Sequence, residues 1–116
     1  MSRVVVVESS LHAMEIDFQY ALTDEQARSR LELLGTYLAN RHGITVTWVD
    51  PQRAKFSGKY LVVRIEGELT MNSGKGQFKG EDPGFLWRGR AKDYIEKKLA
   101  KYLDPNEDPA QLPTSA

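Results

Sequence analysis

MEIDFQYALTDEQARSRLELLGTYLANRHGITVTWV, residues 14–49, decides the fold. Its hydrophobic period changes from two to 3.6 and back. Ile16, Phe18 and Tyr20 alternate with Asp17 and Gln19, the mark of a half-buried strand. Thr23-Asp24-Glu25-Gln26 then makes a capping box: the Thr23 hydroxyl accepts from the Gln26 backbone N–H, and the Gln26 side chain returns to the Thr23 N–H. Leu22 is placed to staple onto Ala27. Ala27, Leu31, Leu34 and Leu38 fall on one helical stripe, with Arg28, Glu32 and Asn40 towards water. Asp24 and Glu25 suit the positive end of the helix dipole, and Gly43 is a left-handed stop after His42. Ile44 to Val49 is rich in β-branched residues and reads as a strand, with Ile44, Val46 and Trp48 on one face.

Downstream, the pattern is that of a meander. Asp50-Pro51 turns the chain, and Arg53 to Ser57 reads as a short strand with Ala54 and Phe56 on one face. Ser57-Gly58 reads as a tight turn into the longest strand, 60–71. Its Leu61, Val63, Ile65, Leu69 and Met71 share one side, and Arg64, Glu66, Glu68 and Thr70 the other. Gly67 marks a bulge or a close backbone contact. Asn72-Ser73-Gly74 turns into a strand over Lys75–Lys79, with Gly76 and Phe78 on one side. Asp82 as cap and Pro83 at the first helical position start a last helix reaching about Leu103, with its stripe at Ala91, Ile95 and Leu99. The other reading keeps 85–88 extended and starts the helix near Arg90. Residues 1–13 read as an extension: either Met14 is the native start, or Val4–Val7 adds an edge strand. Residues 104–116 read as a disordered, acidic, Pro-rich tail.

The expected fold is therefore α+β: an antiparallel sheet of about four to five strands in the order β-α-β-β-β-β-α, with two helices packed on one face. A chain of 116 residues fits one domain, placed here at 14–103.

Composition removes several chemistries. With no cysteine there is no disulfide framework, no thiolate zinc site and no cysteine nucleophile. His12 and His42 share no ligand-spaced partner. No segment approaches the run of about 20 apolar residues that spans a bilayer, and Val4–Val7 is too short for a signal-peptide core, so the chain reads as cytoplasmic. Net charge is zero but uneven: residues 1–52 carry four basic against seven acidic side chains, and residues 53–103 twelve against six.

The motifs are few. Ser73-Gly74-Lys75-Gly76-Gln77-Phe78-Lys79-Gly80 lacks the spacing of a phosphate loop and fits a hairpin. Lys75, Lys79, Arg88 and Arg90, near Trp87, are candidate polyanion contacts; the competing account makes the cations a solvated rim. Glu66 and Glu68 share a strand face and read as an exposed, cross-paired stripe rather than a general acid–base pair. His42 reads as a protonated partner of the helix C-terminus. Phe18, Trp48, Phe56, Phe78 and Trp87 either line an apolar groove between sheet and helix or fill a dry core. No catalytic, cofactor-binding or metal-binding residue is assigned, and no enzyme or cofactor is expected.

Five stretches together carry a family resemblance: Leu22-Thr23-Asp24-Glu25-Gln26-Ala27-Arg28, Asn40-Arg41-His42-Gly43-Ile44, Trp48, Gly84-Phe85-Leu86-Trp87 and Ile95-Glu96-Lys97-Lys98-Leu99. Over residues 14–103 the chain resembles the small bacterial polyhydroxyalkanoic acid system proteins, encoded beside polyester-granule genes. The resemblance implies a non-enzymatic accessory or binding protein, associated with a storage-granule surface or a granule-associated protein. Against it stand two other expectations: a nucleic-acid or polyanion module using residues 75–90, and a small-ligand-binding domain with an apolar groove.

Overall fold

The computed structural model describes residues 13–60 and 63–115. Val4–Val7 and Leu61 lie outside the described residues, as does the side chain of Val63. The elements are β1 (Ala13–Gln19), α1 (Asp24–His42), β2 (Thr45–Asp50), β3 (Arg53–Tyr60), β4 (Val63–Asn72), β5 (Lys75–Glu81) and α2 (Phe85–Tyr102), then a single 3-10 turn at Pro109–Gln111. The five strands form one antiparallel sheet in the order β1-β5-β4-β3-β2. The strands joined through α1 thus sit at opposite edges, and α1 carries the chain across the whole sheet. Both helices cover one face: α1 packs on β2 and α2, and α2 on β1.

Alternation explains the two faces. Met14, Ile16, Ala54, Leu69, Met71 and Phe78 point inward and are buried. On the outer face Glu15, Lys79, Glu68, Lys55 and Thr47 stand in register across all five strands. Opposite charges therefore alternate along that row, each cross-strand pair contributing a few tenths of a kcal/mol to about 1 kcal/mol. Glu66 and Glu68 belong to this face: Arg64 pairs with Glu66 at 3.5 Å, and Arg53 with Glu68 at 4.0 Å.

Helix α1 forms as its sequence dictates. Both bonds of the capping box are present at 3.1 Å, Gly43 is left-handed, and Ala27, Leu31, Leu34 and Leu38 are buried. Asp24 adds a tertiary clamp: its carboxylate accepts from the Tyr20 hydroxyl at 2.6 Å and from the backbone N–H groups of Ser73 and Gly74. Burial and the Asp24 contact push the Tyr20 phenol up to about 12.

Three local expectations are corrected. Ser57-Gly58 is not a turn; β3 continues through it, pairing Ser57 with Glu66 and Gly58 with Ile65. A Cβ at Gly58 would lie 2.9 Å from the Ile44 Cα, so this glycine admits the chain that leaves α1. Asp82 is not the cap of α2. Gly84 holds that position, and Asp82 instead accepts from the Gly84 N–H and binds Arg88, so the helix begins at Phe85 and 85–88 is helical.

The third correction concerns the tail. Residues 104–115 pack back on the domain rather than being disordered. Leu112 is buried in the core, the Tyr102 hydroxyl donates to the Pro113 carbonyl, and Asn40 donates to the Thr114 carbonyl at 2.6 Å. Arg30, only 7% exposed, reaches across from α1 and donates to the Asp104 carbonyl at 2.7 Å. A guanidinium at the C-terminal end of α2 also meets the negative pole of its dipole. Composition favours disorder here, but Leu112 and these three anchors offset the ordering entropy.

Candidate functional site

The inward faces do not close everywhere. At the C-terminal end of α2, Leu99, Tyr102 and the C-cap Leu103 are buried. Earlier along the helix, Trp87, Ala91, Tyr94 and Ile95 are only half-buried. They fall on one helical face because their spacing follows the 3.6-residue turn. The small Ala91 sits between the two large residues Trp87 and Ile95 and leaves space beneath the helix. The result is an apolar groove of about 590 Å³ between α2 and the sheet. That volume lies within the range of roughly 300–1,000 Å³ common for small-molecule sites.

The floor is Phe56, Ile65, Leu69 and Phe78 from β3, β4 and β5, and Leu34 and Leu38 of α1 form the far wall. The Phe56 and Phe78 rings meet edge-to-face with centroids 5.3 Å apart. The Phe78 ring packs against Gly67: a Cβ there would come within 2.7 Å of the ring. This is the close contact expected of Gly67. The lip on α2 is cationic, formed by Arg90, Lys97, Lys98 and Lys101 with one carboxylate, Asp93, which pairs with Lys97 at 3.1 Å.

A cluster joins α1 and α2 beside this lip. His42 Nε2 and the Tyr94 hydroxyl share a hydrogen bond of 2.9 Å. The His42 ring stands edge-on to both Tyr37 and Tyr94, and the Lys98 ammonium lies 4.4 Å from the Tyr37 ring centre and 5.4 Å from that of Tyr94. Partial burial first, then the charges of Arg41 and Lys98, lower the His42 pKa. The expected protonated helix partner is therefore corrected: the fold favours the neutral imidazole, bonded to another helix.

Of the five aromatics singled out from sequence, Phe56, Phe78 and Trp87 line the groove. Phe18 packs over Gly76 on the core, and Trp48 lines a separate hollow of about 250 Å³ with Val46 and Gly35. The four candidate polyanion contacts are not brought together. Lys79 faces Glu15 at 3.7 Å on the outer sheet face, and Lys75 opens β5 opposite Asn72. Arg88 is held by Asp82 at 2.6 Å, and Arg90 lies over the Trp87 ring at the groove lip. Sequence reasoning missed Ile65, Tyr94 and the lysines 97, 98 and 101. Their signal was present, since these cations flank the recognised stripe Ala91, Ile95, Leu99. Among the described residues no cluster of three or more His, Asp or Glu could hold a metal, and no helix is long and apolar enough to cross a membrane.

A family model described as "Putative polyhydroxyalkanoic acid system protein" matches residues 14–106. No curated protein and no solved structure matches the chain.

Proposed function

The chain belongs to the polyhydroxyalkanoic acid system family, and from that premise we propose that it is a non-enzymatic binding protein of that system, working in the cytoplasm at or near the storage granule. It holds an apolar ligand in the groove between α2 and the sheet. The observation that carries this reading is the groove itself: an apolar space of about 590 Å³ lined by aromatic and aliphatic side chains, of which Phe56, Ile65, Trp87, Ala91 and Ile95 are only half-buried. Open apolar surface costs stability in water, so an occupant that covers it is bound at a gain of roughly 25 cal/mol per Å². The polyanion reading has less support, because Lys79 and Arg88 already face carboxylates.

The test uses a neutral environment-sensitive dye, N-phenyl-1-naphthylamine, and isolated polyester granules. The full chain should bind the dye saturably and co-sediment with granules. Ala91→Trp, which fills the groove from its helical wall, should abolish dye binding while leaving the thermal melt intact. Saturable binding that survives Ala91→Trp would remove the groove from this role. Absence of granule co-sedimentation would separate the protein from the granule surface.

A further inference from the structure

We infer that the groove takes an anionic amphiphile, a single acyl chain whose carboxylate is held at the α2 lip by Lys98, Lys101 and Arg90. The inference rests on the groove being a binding site and adds the chemical class of its occupant.

The argument is the polarity of the lining. Every floor residue is apolar: Phe56, Ile65, Leu69 and Phe78. The lip carries four cations and one carboxylate, so it holds a net charge of +3. Asp93 neutralises Lys97 at 3.1 Å. Among the described residues, Arg90, Lys98 and Lys101 have no ion pair. Lys98 is half-buried, with its ammonium against the faces of Tyr37 and Tyr94. Partial dehydration of that ammonium strengthens its attraction for an anion, and neighbouring cations raise the local potential further. Tyr94 is itself fixed by His42, so the lip is arranged before a ligand arrives.

Charge and shape together exclude other occupants. A polyanion would satisfy the lip and leave the apolar floor bare. A neutral oil would fill the floor and leave the cations repelling one another. The space lies between a helix and a sheet, which admits a chain end-on rather than a flat surface. A carboxylate on an alkyl chain meets both demands.

Displacement of N-phenyl-1-naphthylamine from the full chain tests this. Decanoate and decan-1-ol share a chain and differ at the end group. Decanoate should displace the dye at a concentration at least about tenfold lower, in keeping with a charge-assisted contact. Lengthening the acid should tighten binding about fourfold per buried methylene until the groove is full. The double variant Lys98→Gln/Lys101→Gln should lose the preference for decanoate and keep decan-1-ol binding. Arg90→Gln, at an exposed position, gives an independent reading should the double variant fold poorly. Equal displacement by acid and alcohol from the unaltered chain overturns the anionic occupant and leaves the groove reading standing. A preference that survives both variants also overturns it. Absence of dye binding overturns the groove reading and this inference with it.

Discussion

The two helices are nearly equal in length, 19 residues for α1 and 18 for α2, and they cover the same sheet face. They are built to different standards. Helix α1 opens with a complete capping box, is clamped through Asp24 to Tyr20 and the β4–β5 turn, and closes on a left-handed glycine. Helix α2 opens on Gly84 with no side-chain cap, carries Gly89 in its second turn, and leaves Leu86 80% exposed. Its C-terminal half is held firmly, through Leu99, Tyr102 and the Arg30 guanidinium. The difference separates a strut from a wall. Helix α1 buries its apolar stripe from Ala27 to Leu38. From Trp87 to Ile95 no side chain of α2 is fully buried, and this stretch walls the groove, whose lip runs on to Lys101.

The largest expected effect tests this division directly. Leu31 on α1 is 3% exposed and does not line the groove, so Leu31→Ala should cost about 2–5 kcal/mol in urea unfolding. Ile95→Ala on α2 removes a half-buried side chain and should cost about 1 kcal/mol. Dye affinity should respond in the opposite order, falling several-fold for Ile95→Ala and little for the folded fraction of Leu31→Ala. If Ile95→Ala destabilises as much as Leu31→Ala, α2 is core throughout and the comparison breaks.

The same contrast governs what the sequence could reveal. Helix α1, the strand order and the register of the faces were legible because local signals agree with the fold: Thr23 and Gln26 three apart, apolar residues on one stripe, strict alternation in the strands. The start of α2 was obscure because Asp82-Pro83 reads as a cap, while Asp82 is engaged by Arg88 through a contact six residues long. The tail was misread because Arg30, Asn40 and Leu112 act over 70 residues or through a single buried side chain, which composition cannot register. The groove was half-legible. Phe56, Phe78 and Trp87 could be named, but which aromatics share a cavity depends on where α2 stands off the sheet, and that is tertiary.

Intermediate effects sharpen the difference between the helix starts. Thr23→Ala removes one side of the capping box and should destabilise by about 1 kcal/mol. Gly89→Ala should act in the other direction, since nothing lies within 4 Å of an added Cβ there and alanine is favoured over glycine by about 1 kcal/mol in a helix interior. Chemical denaturation curves of the two variants should therefore shift to opposite sides of the unaltered chain. A loss of stability in Gly89→Ala would mean that α2 needs that glycine, and its looseness would no longer be an unoptimised feature.

The smallest effect is a pH dependence, and it acts where the two helices meet. His42 on α1 is bonded to Tyr94 on α2 and stands near Arg41 and Lys98. Burial, then those two cations, depress its folded pKa below the ordinary value of 6.5. The unfolded chain therefore binds a proton near pH 6.5 that the folded chain refuses, and stability falls as pH drops through that value towards the folded pKa. Above pH 7 both states hold the imidazole neutral, so the contribution is fully present there. Melts of the unaltered chain and of His42→Gln at pH 7.5 and 5.5 should show a larger acid-induced drop for the unaltered chain, because glutamine does not titrate. The carboxylates Asp24, Asp50 and Asp82 also have lowered pKa values, but they titrate below this window and are common to both proteins. Equal drops would mean that His42 gains a proton as easily folded as unfolded. The α1–α2 contact would then be open to water, and the strut and the wall would be less firmly joined than their hydrogen bond implies.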